Sequence, residues 1–599
     1  MWYNPPDGQR RERFHAGNCA DAYEFLGAHP VEENGELKWH FAVWAPNAQR
    51  VSLVGGFCGW DREAWPMNKQ YDGIWELRPS NGSKLRNLSE YQWNDDAWME
   101  ARKEKTPVRR PMNIYEMHLG TWRRGENGRI LNYAEIADQL VPYLQEMGYT
   151  HVEFMPVMEH PFDGSWGYQV MGYYAATSRY GTPDQLRYLV DQLHQAGIAV
   201  ILDWVPAHFP KDEAGLRLFD GTPCYEHADS RRAEMPQWGT LLFDYARGEA
   251  ASFLKSNALF WLREYHADGL RFDAVSCMLY LDFGKEPGQW LPNPEGGHEN
   301  LDAVRFLQEL NETVNRECPG AITVAEESTA FPRVTHPIRD GGLGFSFKWN
   351  MGWMNDILSY IDMDPIYRQY HHDKITFSMM YAFSENYVLP FSHDEVVHCK
   401  RSMIDKQPGD LWQKFASLRA LYGYYMAHPG KKLLFMGGEF GQFAEWKDYE
   451  QLDWFLLGYE RHPDLQKYVK ALNHLYSGEP ALHRIDDSWD GFKWLNVNDK
   501  ERSVAAVMRS DGEGSDLVCA VNFTPQPYLN YRVGLPFDCE LTEILNSDRA
   551  EFGGSNLYNG TVCRAEAVPQ EEHPFSCEIL LPPLAAVFFR VRKITGDKA

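Results

Sequence analysis

Four acidic residues stand where short apolar runs end. Asp203 closes Val200-Ile-Leu-Asp, Asp273 closes Leu270-Arg-Phe-Asp and Glu326 closes Thr323-Val-Ala-Glu; Asp394 lies in Leu389-Pro-Phe-Ser-His-Asp. Singly, a strand-end acid usually caps a helix or bonds a loop. Four at matching positions point to a shared pocket. Carboxylates clustered without Lys neighbours suit metal binding or glycosidic chemistry. Cleaving a glycosidic bond with retention takes a nucleophile and an acid/base, two carboxyls about 5–5.5 Å apart. Arg271 and Asp273 are two apart on a strand, so they share a face. A guanidinium there is expected to keep Asp273 ionised, as a nucleophile requires. Glu326 follows Val324-Ala325, an apolar approach expected to raise it toward the acid role. Asp394 is then available to stabilise positive charge developing on a sugar ring.

Three further residues accompany the acids. His208 and His393 lie beside two of them, and Tyr168 sits in the loop Asp163-Gly-Ser-Trp-Gly-Tyr, where it could stack on a sugar. Each also has an ordinary structural reading. The segment His393-Asp-Glu-Val-Val-His398 superficially suggests zinc, but the two His are at i, i+5 rather than i, i+4. No phosphate-cradling loop, dinucleotide fingerprint or serine nucleophile elbow occurs, so nucleotide binding and serine hydrolysis have no anchor.

The acids must be positioned by the elements that carry them. Thr182 can cap a helix and Pro183 suits its first position. Leu186, Leu189, Val190 and Leu193 then fall on one face, and Gly197 ends the helix. Ile198 to Trp204 follows as an apolar strand covered on both sides. The plan recurs at 136–147 with 151–157, at 249–266 with 269–275, and at 301–316 with 322–326. Further strands are expected at 114–118, 343–348, 387–391 and 432–436, which makes eight. Eight strands alternating with helices fit a (β/α)₈ barrel, in which all strand C-termini converge on one face. A doubly wound open sheet is the alternative.

Residues 1–107 read as a small β module, with Phe41, Val43, Val51 and Leu53 at strand spacing and a turn at Ala45-Pro46-Asn47. The barrel occupies 108–482. From 483 to 599 helical periodicity is lost, and 492–497, 503–508, 517–523 and 585–591 read as strands of a C-terminal β-sandwich. The formal charge of −25 disfavours nucleic acid and anionic membrane as partners. No apolar run approaches a membrane span, and the first residues lack a secretory h-region. A cytoplasmic protein with reduced thiols is therefore expected. The many Trp and Tyr suit a sugar-binding groove, although a large core also uses them.

The four strand-end segments together resemble the signatures of the α-amylase superfamily (glycoside hydrolase family 13). Asp203-Trp-Val-Pro-Ala-His208 is similar to the first, Gly269-Leu-Arg-Phe-Asp-Ala274 to the second, Ala325-Glu-Glu-Ser-Thr329 to the third and Phe391-Ser-His-Asp394 to the fourth. Within it, Ala325–Thr329, Ser392–His398, Met158-Glu-His-Pro161 and Asp163–Gln169 resemble the bacterial glycogen branching enzymes. The resemblance implies Asp273 as nucleophile, Glu326 as acid/base and Asp394 as transition-state stabiliser. It implies that Tyr168, Asp203, His208, Arg271 and His393 grip the sugar. Strand alternation favours Glu326 over Glu327 for the catalytic position.

The implied reaction moves an α-1,4-linked chain to a glucan 6-hydroxyl in glycogen biosynthesis, on a monomer, with no cofactor and no metal. A hydrolase of the same superfamily is the alternative. Ala207 stands where many α-amylases place a calcium-ligating Asn, so no calcium is expected there. The front module resembles family-48 carbohydrate-binding modules through Phe41-Ala-Val-Trp-Ala-Pro-Asn47 and Phe57-Cys-Gly-Trp60. It is shortened after Leu77, because Arg78–Lys84 leads almost directly into Ser89–Trp93, and an unpaired sheet edge is expected.

Overall fold

Capping signals set the helices that drive the barrel closed. In the computed structural model, which describes residues 2–33, 36–78, 90–104 and 106–594, Thr182 and Gln185 form a reciprocal capping box on the helix Pro183–Gln195. Asn132 and Glu135 do the same for Tyr133–Met147, which Gly148 ends in the left-handed conformation. Each helix returns the chain to a parallel strand. The strands Asn113–Met117, His151–Phe154, Ala199–Trp204, Gly269–Phe272, Ile322–Ala325, Phe347–Trp349, Tyr387–Phe391 and Lys431–Phe435 close in sequence order into one barrel. The open-sheet alternative is excluded. Ile114, Ile201, Val324, Phe347, Val388 and Leu433 pack together inside it, apart from the larger cluster between helices and strands.

The sixth strand starts later than the sequence pattern suggests, at Phe347 rather than Leu343. Gly344 has φ +81°, which breaks the extended run. Leu343 and Phe345 are buried all the same, in the helix-side core.

The front sheet is antiparallel, in the order Gly27–Glu33, Glu36–Trp44, Ile74–Leu77, Asn68–Lys69. Phe41 and Val43 lie in a strand as expected. Val51 and Leu53 do not: that stretch makes a single bridge, Ser52 to Pro66, and packs on the sheet's own core. The other face, Ala42, Trp44 and Ile74, joins the main core. The outer edge strand is met by the Tyr3 N–H, which donates to the Pro30 carbonyl at 2.9 Å. Most of the shortened stretch, Pro79–Ser89, lies outside the described residues.

At the C-terminal end, six strands form an antiparallel sheet faced by the two-stranded sheet Tyr528–Leu535/Phe575–Leu581. The four expected strands are present within two residues. Cys539–Asn546, Cys563–Arg564 and the two-stranded sheet complete the sandwich. The sheet packs against the barrel helix Leu411–Ala427, where a β-carbon on Gly423 would collide with that of Ala586. Among the described residues no helix is long and apolar enough to cross a membrane.

Candidate active site

Strand register brings the acids together. Arg271 lies beside Asp203 on one neighbouring strand and beside Val324 on the other. One step further the ladder continues through the Asp273 N–H to Trp204 O, 3.0 Å, and the Glu326 N–H to Phe272 O, 3.1 Å. Asp273 and Glu326 therefore stand level just beyond two adjacent strands, while Asp203 lies one step lower on the third, level with Arg271, whose side chain reaches all three.

Arg271 is 1% exposed and binds all three acids. Its Nη1 donates to both oxygens of Asp203 at 2.7 Å and to Asp273 Oδ1 at 3.0 Å. Its Nη2 is 2.7 Å from Glu326 Oε2. The guanidinium also lies over the Trp349 ring, 4.4 Å from its centroid. Burial opposes its charge, but Asp203 and Glu326 more than compensate and hold Arg271 above its ordinary value.

One electrostatic expectation is corrected, and one expected environment differs. Arg271 does pull Asp273 downward, but burial outweighs it and Glu326 and Asp203 add to the rise, so the Asp273 carboxyl sits well above the usual range. Glu326 is not in apolar surroundings: its Oε2 also accepts from the Ala274 N–H at 2.9 Å. Both partners bind the same oxygen. Ala274 has φ +50°, a strained backbone at the turn after the fourth strand.

The remaining expected residues surround this group. The Tyr168 hydroxyl donates to Asp203 Oδ2 at 2.5 Å and lies 3.2 Å from His393 Nε2. Its ring stacks on the His393 imidazole, centroids 5.6 Å apart at 18°, so one aromatic face is already covered. His208 Nε2 is 3.9 Å from Asp273 Oδ2, while its Nδ1 is fixed by Thr240 Oγ at 3.0 Å. Burial lowers His208 to about 4, so it is neutral. His393 behaves oppositely. Burial pulls it down, but Asp394 and Glu116 raise it to about 9. Asp394 Oδ1 is 3.5 Å from His393 Nε2. His398 stacks on Trp166, ring centroids 5.3 Å apart.

Several residues escaped the sequence reading. Glu116 accepts from His393 twice, at 2.6 Å from Nδ1 and 2.9 Å from the backbone N–H. Glu153, its neighbour in register, is also buried, and neither of its carboxyl oxygens has a hydrogen-bond partner among the described residues. Burial, then Glu116, pushes Glu153 well above the carboxylate range. A signal existed: an acid in the middle of Ile114-Tyr-Glu-Met117 or His151-Val-Glu-Phe154 interrupts an apolar strand. Glu327 faces away from Arg271, fully buried, with Lys348 Nζ at 2.6 Å and Ser276 Oγ at 3.0 Å. Trp238, 42% exposed, has its ring centroid 4.8 Å from that of His208.

The chain is similar to known proteins. Three family models match: carbohydrate-binding module 48 (isoamylase N-terminal domain) over residues 25–100, the alpha amylase catalytic domain over 122–217, and the alpha amylase C-terminal all-beta domain over 494–592. The chain is 51% identical over 622 residues to the 1,4-alpha-glucan branching enzyme GlgB of Halothermothrix orenii, covering 98% of this chain and 99% of the relative. It is 50% identical to the protein of the same name from Aquifex aeolicus, covering 96% and 97%. Among solved structures, one described as an alpha amylase from Salmonella typhimurium superposes with a TM-score of 0.66 at 19% identity, covering 95% of this chain and 99% of that one. An alpha-amylase from Geobacillus thermoleovorans superposes at 0.58 and 17% identity, covering 81% and 99%. These two likenesses concern the fold alone.

Proposed function

We infer the division of labour in the site from one premise: the chain belongs to the 1,4-alpha-glucan branching enzyme family. It is a glycosyltransferase that cuts α-1,4-glucan and joins the released chain through a new α-1,6 bond. The observation that carries the assignment of roles is Arg271, whose single guanidinium holds Asp203, Asp273 and Glu326 together.

In this reading Glu326 protonates the leaving glucosidic oxygen while Asp273 attacks the anomeric carbon. The old bond breaks, a covalent glucosyl-chain intermediate forms, and Asp273 keeps the chain. Arg271 remains charged, and its contact with Asp273 Oδ1 favours, against the opposing burial, the ionised form that attack requires. Asp394, held beside the His393 imidazole, faces the positive charge that develops on the ring. An acceptor 6-hydroxyl then gives its proton to Glu326 and displaces Asp273. Tyr168, Asp203, His208 and His393 hold the sugar at the point of cleavage. No cofactor or metal takes part.

The domain division we adopt is 1–107, 108–482 and 483–599. We place the reaction in the cytoplasm, on a monomer, with glycogen-type α-glucan as donor and acceptor and neither nucleic acid nor membrane as partner. The charge of −25 supports the last two exclusions.

The test is incubation with linear amylose, following iodine colour and reducing ends, then debranching the product. Falling colour with few new reducing ends, and short chains on debranching, is expected. Reducing ends rising in step with colour loss would make the protein a hydrolase. The variant Asp273→Ala is expected to fold normally and show no turnover; retained turnover would remove Asp273 as nucleophile.

A further inference from the structure

The turn after Asp394 is built against the preferences of its residues. His398, Cys399 and Arg401 have φ +54°, +65° and +67°, and none is Gly or Asn. Side chains with a β-carbon avoid this region unless the surroundings impose it. All three residues are exposed, so core packing does not impose it. Two charged groups do. The Lys406 ammonium, almost fully buried, donates to three carbonyls: Glu395 and Lys400 at 2.6 Å and Arg401 at 2.5 Å. From the other side, the Glu445 carboxylate accepts the Cys399 N–H at 3.2 Å and the Arg401 N–H at 2.5 Å.

The clamped turn has one conspicuous product. It presents His398 flat against Trp166, centroids 5.3 Å apart at 22°. Trp166 is itself left-handed, at φ +57°, and stands edge-on to His393 and Trp446. Two residues further on is Tyr168, which binds Asp203 and lies against His393. The Trp446 N–H in turn donates to Val396 O at 2.9 Å, and Trp166 Nε1 donates to Asp448 at 3.1 Å. Three loops are thus locked into one wall beside Asp394.

We propose that Lys406 and Glu445 are positioning residues whose clamp on the His398–Arg401 turn holds the Trp166–His398 wall in place, so that a sugar hydroxyl rather than water reaches the glycosyl intermediate. The reasoning is geometric. A transferase must keep a covalent sugar ester from water while it waits for a bulky acceptor, and a loosened wall opens that space to solvent. The inference rests on the branching-enzyme reading of the site, and concerns the fate of the intermediate rather than its formation.

The clamp also carries a pH signature. Burial lowers Lys406 to about 8, against the opposing pull of Glu395 and Glu445 and with Arg401 and Lys400 adding to the fall. Loss of its proton removes a donor from the three-carbonyl cluster, so the wall loosens as pH rises through that value.

The experiment measures branches formed and reducing ends released from amylose in the same reaction, for the full chain, Lys406→Met and Glu445→Gln. The ratio of branches to reducing ends is expected to fall at least about fivefold in Lys406→Met and less in Glu445→Gln, because small misplacements near reacting groups cost large factors in rate. In the unaltered protein the ratio is expected to fall above pH 8, whereas in Lys406→Met it is low and level. If Lys406→Met does not fold, Glu445→Gln and the pH course of the unaltered protein decide. An unaltered ratio in the variants, or a level ratio in the native chain from pH 7 to 9.5, overturns the clamp. Failure of the native chain to make branches at any pH would instead overturn the functional reading beneath it.

Discussion

Glu116 offers a perturbation whose size follows from the structure. It accepts both the ring and the backbone N–H of His393. Against burial, Asp394 and Glu116 raise that imidazole from 6.5 to about 9. At about 1.4 kcal/mol per pH unit, the net preference for imidazolium is about 3.4 kcal/mol. In Glu116→Gln, of the two carboxylates only Asp394 remains while the desolvation is unchanged, so His393 should titrate lower, and the full effect is a return to its ordinary value. At pH 7.5 the charged fraction then drops from about 97% to about 10%. If the imidazolium is the form that serves the sugar, initial branching rates at pH 7.5 fall about tenfold and return toward native values at pH 5.5. The sign for stability runs the same way: a raised histidine stabilises the fold fully below pH 6.5, and that contribution is lost as pH climbs through about 9. The assay is amylose branching from pH 5 to 9.5 alongside melting temperature. A variant whose alkaline limb coincides with that of the native protein would refute the reasoning.

Other substitutions separate the parts of the site. Tyr168→Phe removes the hydroxyl that donates to Asp203 and reaches His393. A hydrogen bond to a charged group is worth about 1.5–3 kcal/mol, so kcat/KM should fall roughly ten- to a hundredfold, with the melting temperature little changed; parity with the native enzyme would show the contact idle. Lys348→Met should act on stability instead. It leaves the fully buried Glu327 without its cation, at a cost of about 3–5 kcal/mol, and urea unfolding with an unshifted midpoint would contradict this.

Much of this molecule was legible in the chain because the deciding interactions are local. Thr182 and Gln185 sit three apart and cap a helix wherever that helix lies. Apolar runs of strand length between helices foretold a parallel sheet, and acids at their ends foretold a common face. Even the choice between Glu326 and Glu327 follows from the two-residue alternation of a strand, and the two side chains do turn to Arg271 and Lys348 respectively. The failures were equally specific. Val51 and Leu53 have strand spacing but only one bridge, because alternation reports burial and not pairing.

Tertiary structure decided what depends on distance through space. Register, not spacing, set Arg271 among three carboxyls and so turned an expected depressed Asp273 into a raised one: the same neighbours that attract also crowd and desolvate it. Glu116 and Glu153, which escaped the sequence reading, gain their meaning only when closure of the barrel pairs them in register and sets Glu116 against His393. Lys406 and Glu445 are ordinary surface-type residues by sequence, and they become a clamp only because two loops meet over the barrel mouth. The sequence by itself determined the elements and the kinds of chemistry available. Burial and the summed field of groups distant along the chain, which no local pattern encodes, decided the charge and orientation with which each residue enters the site.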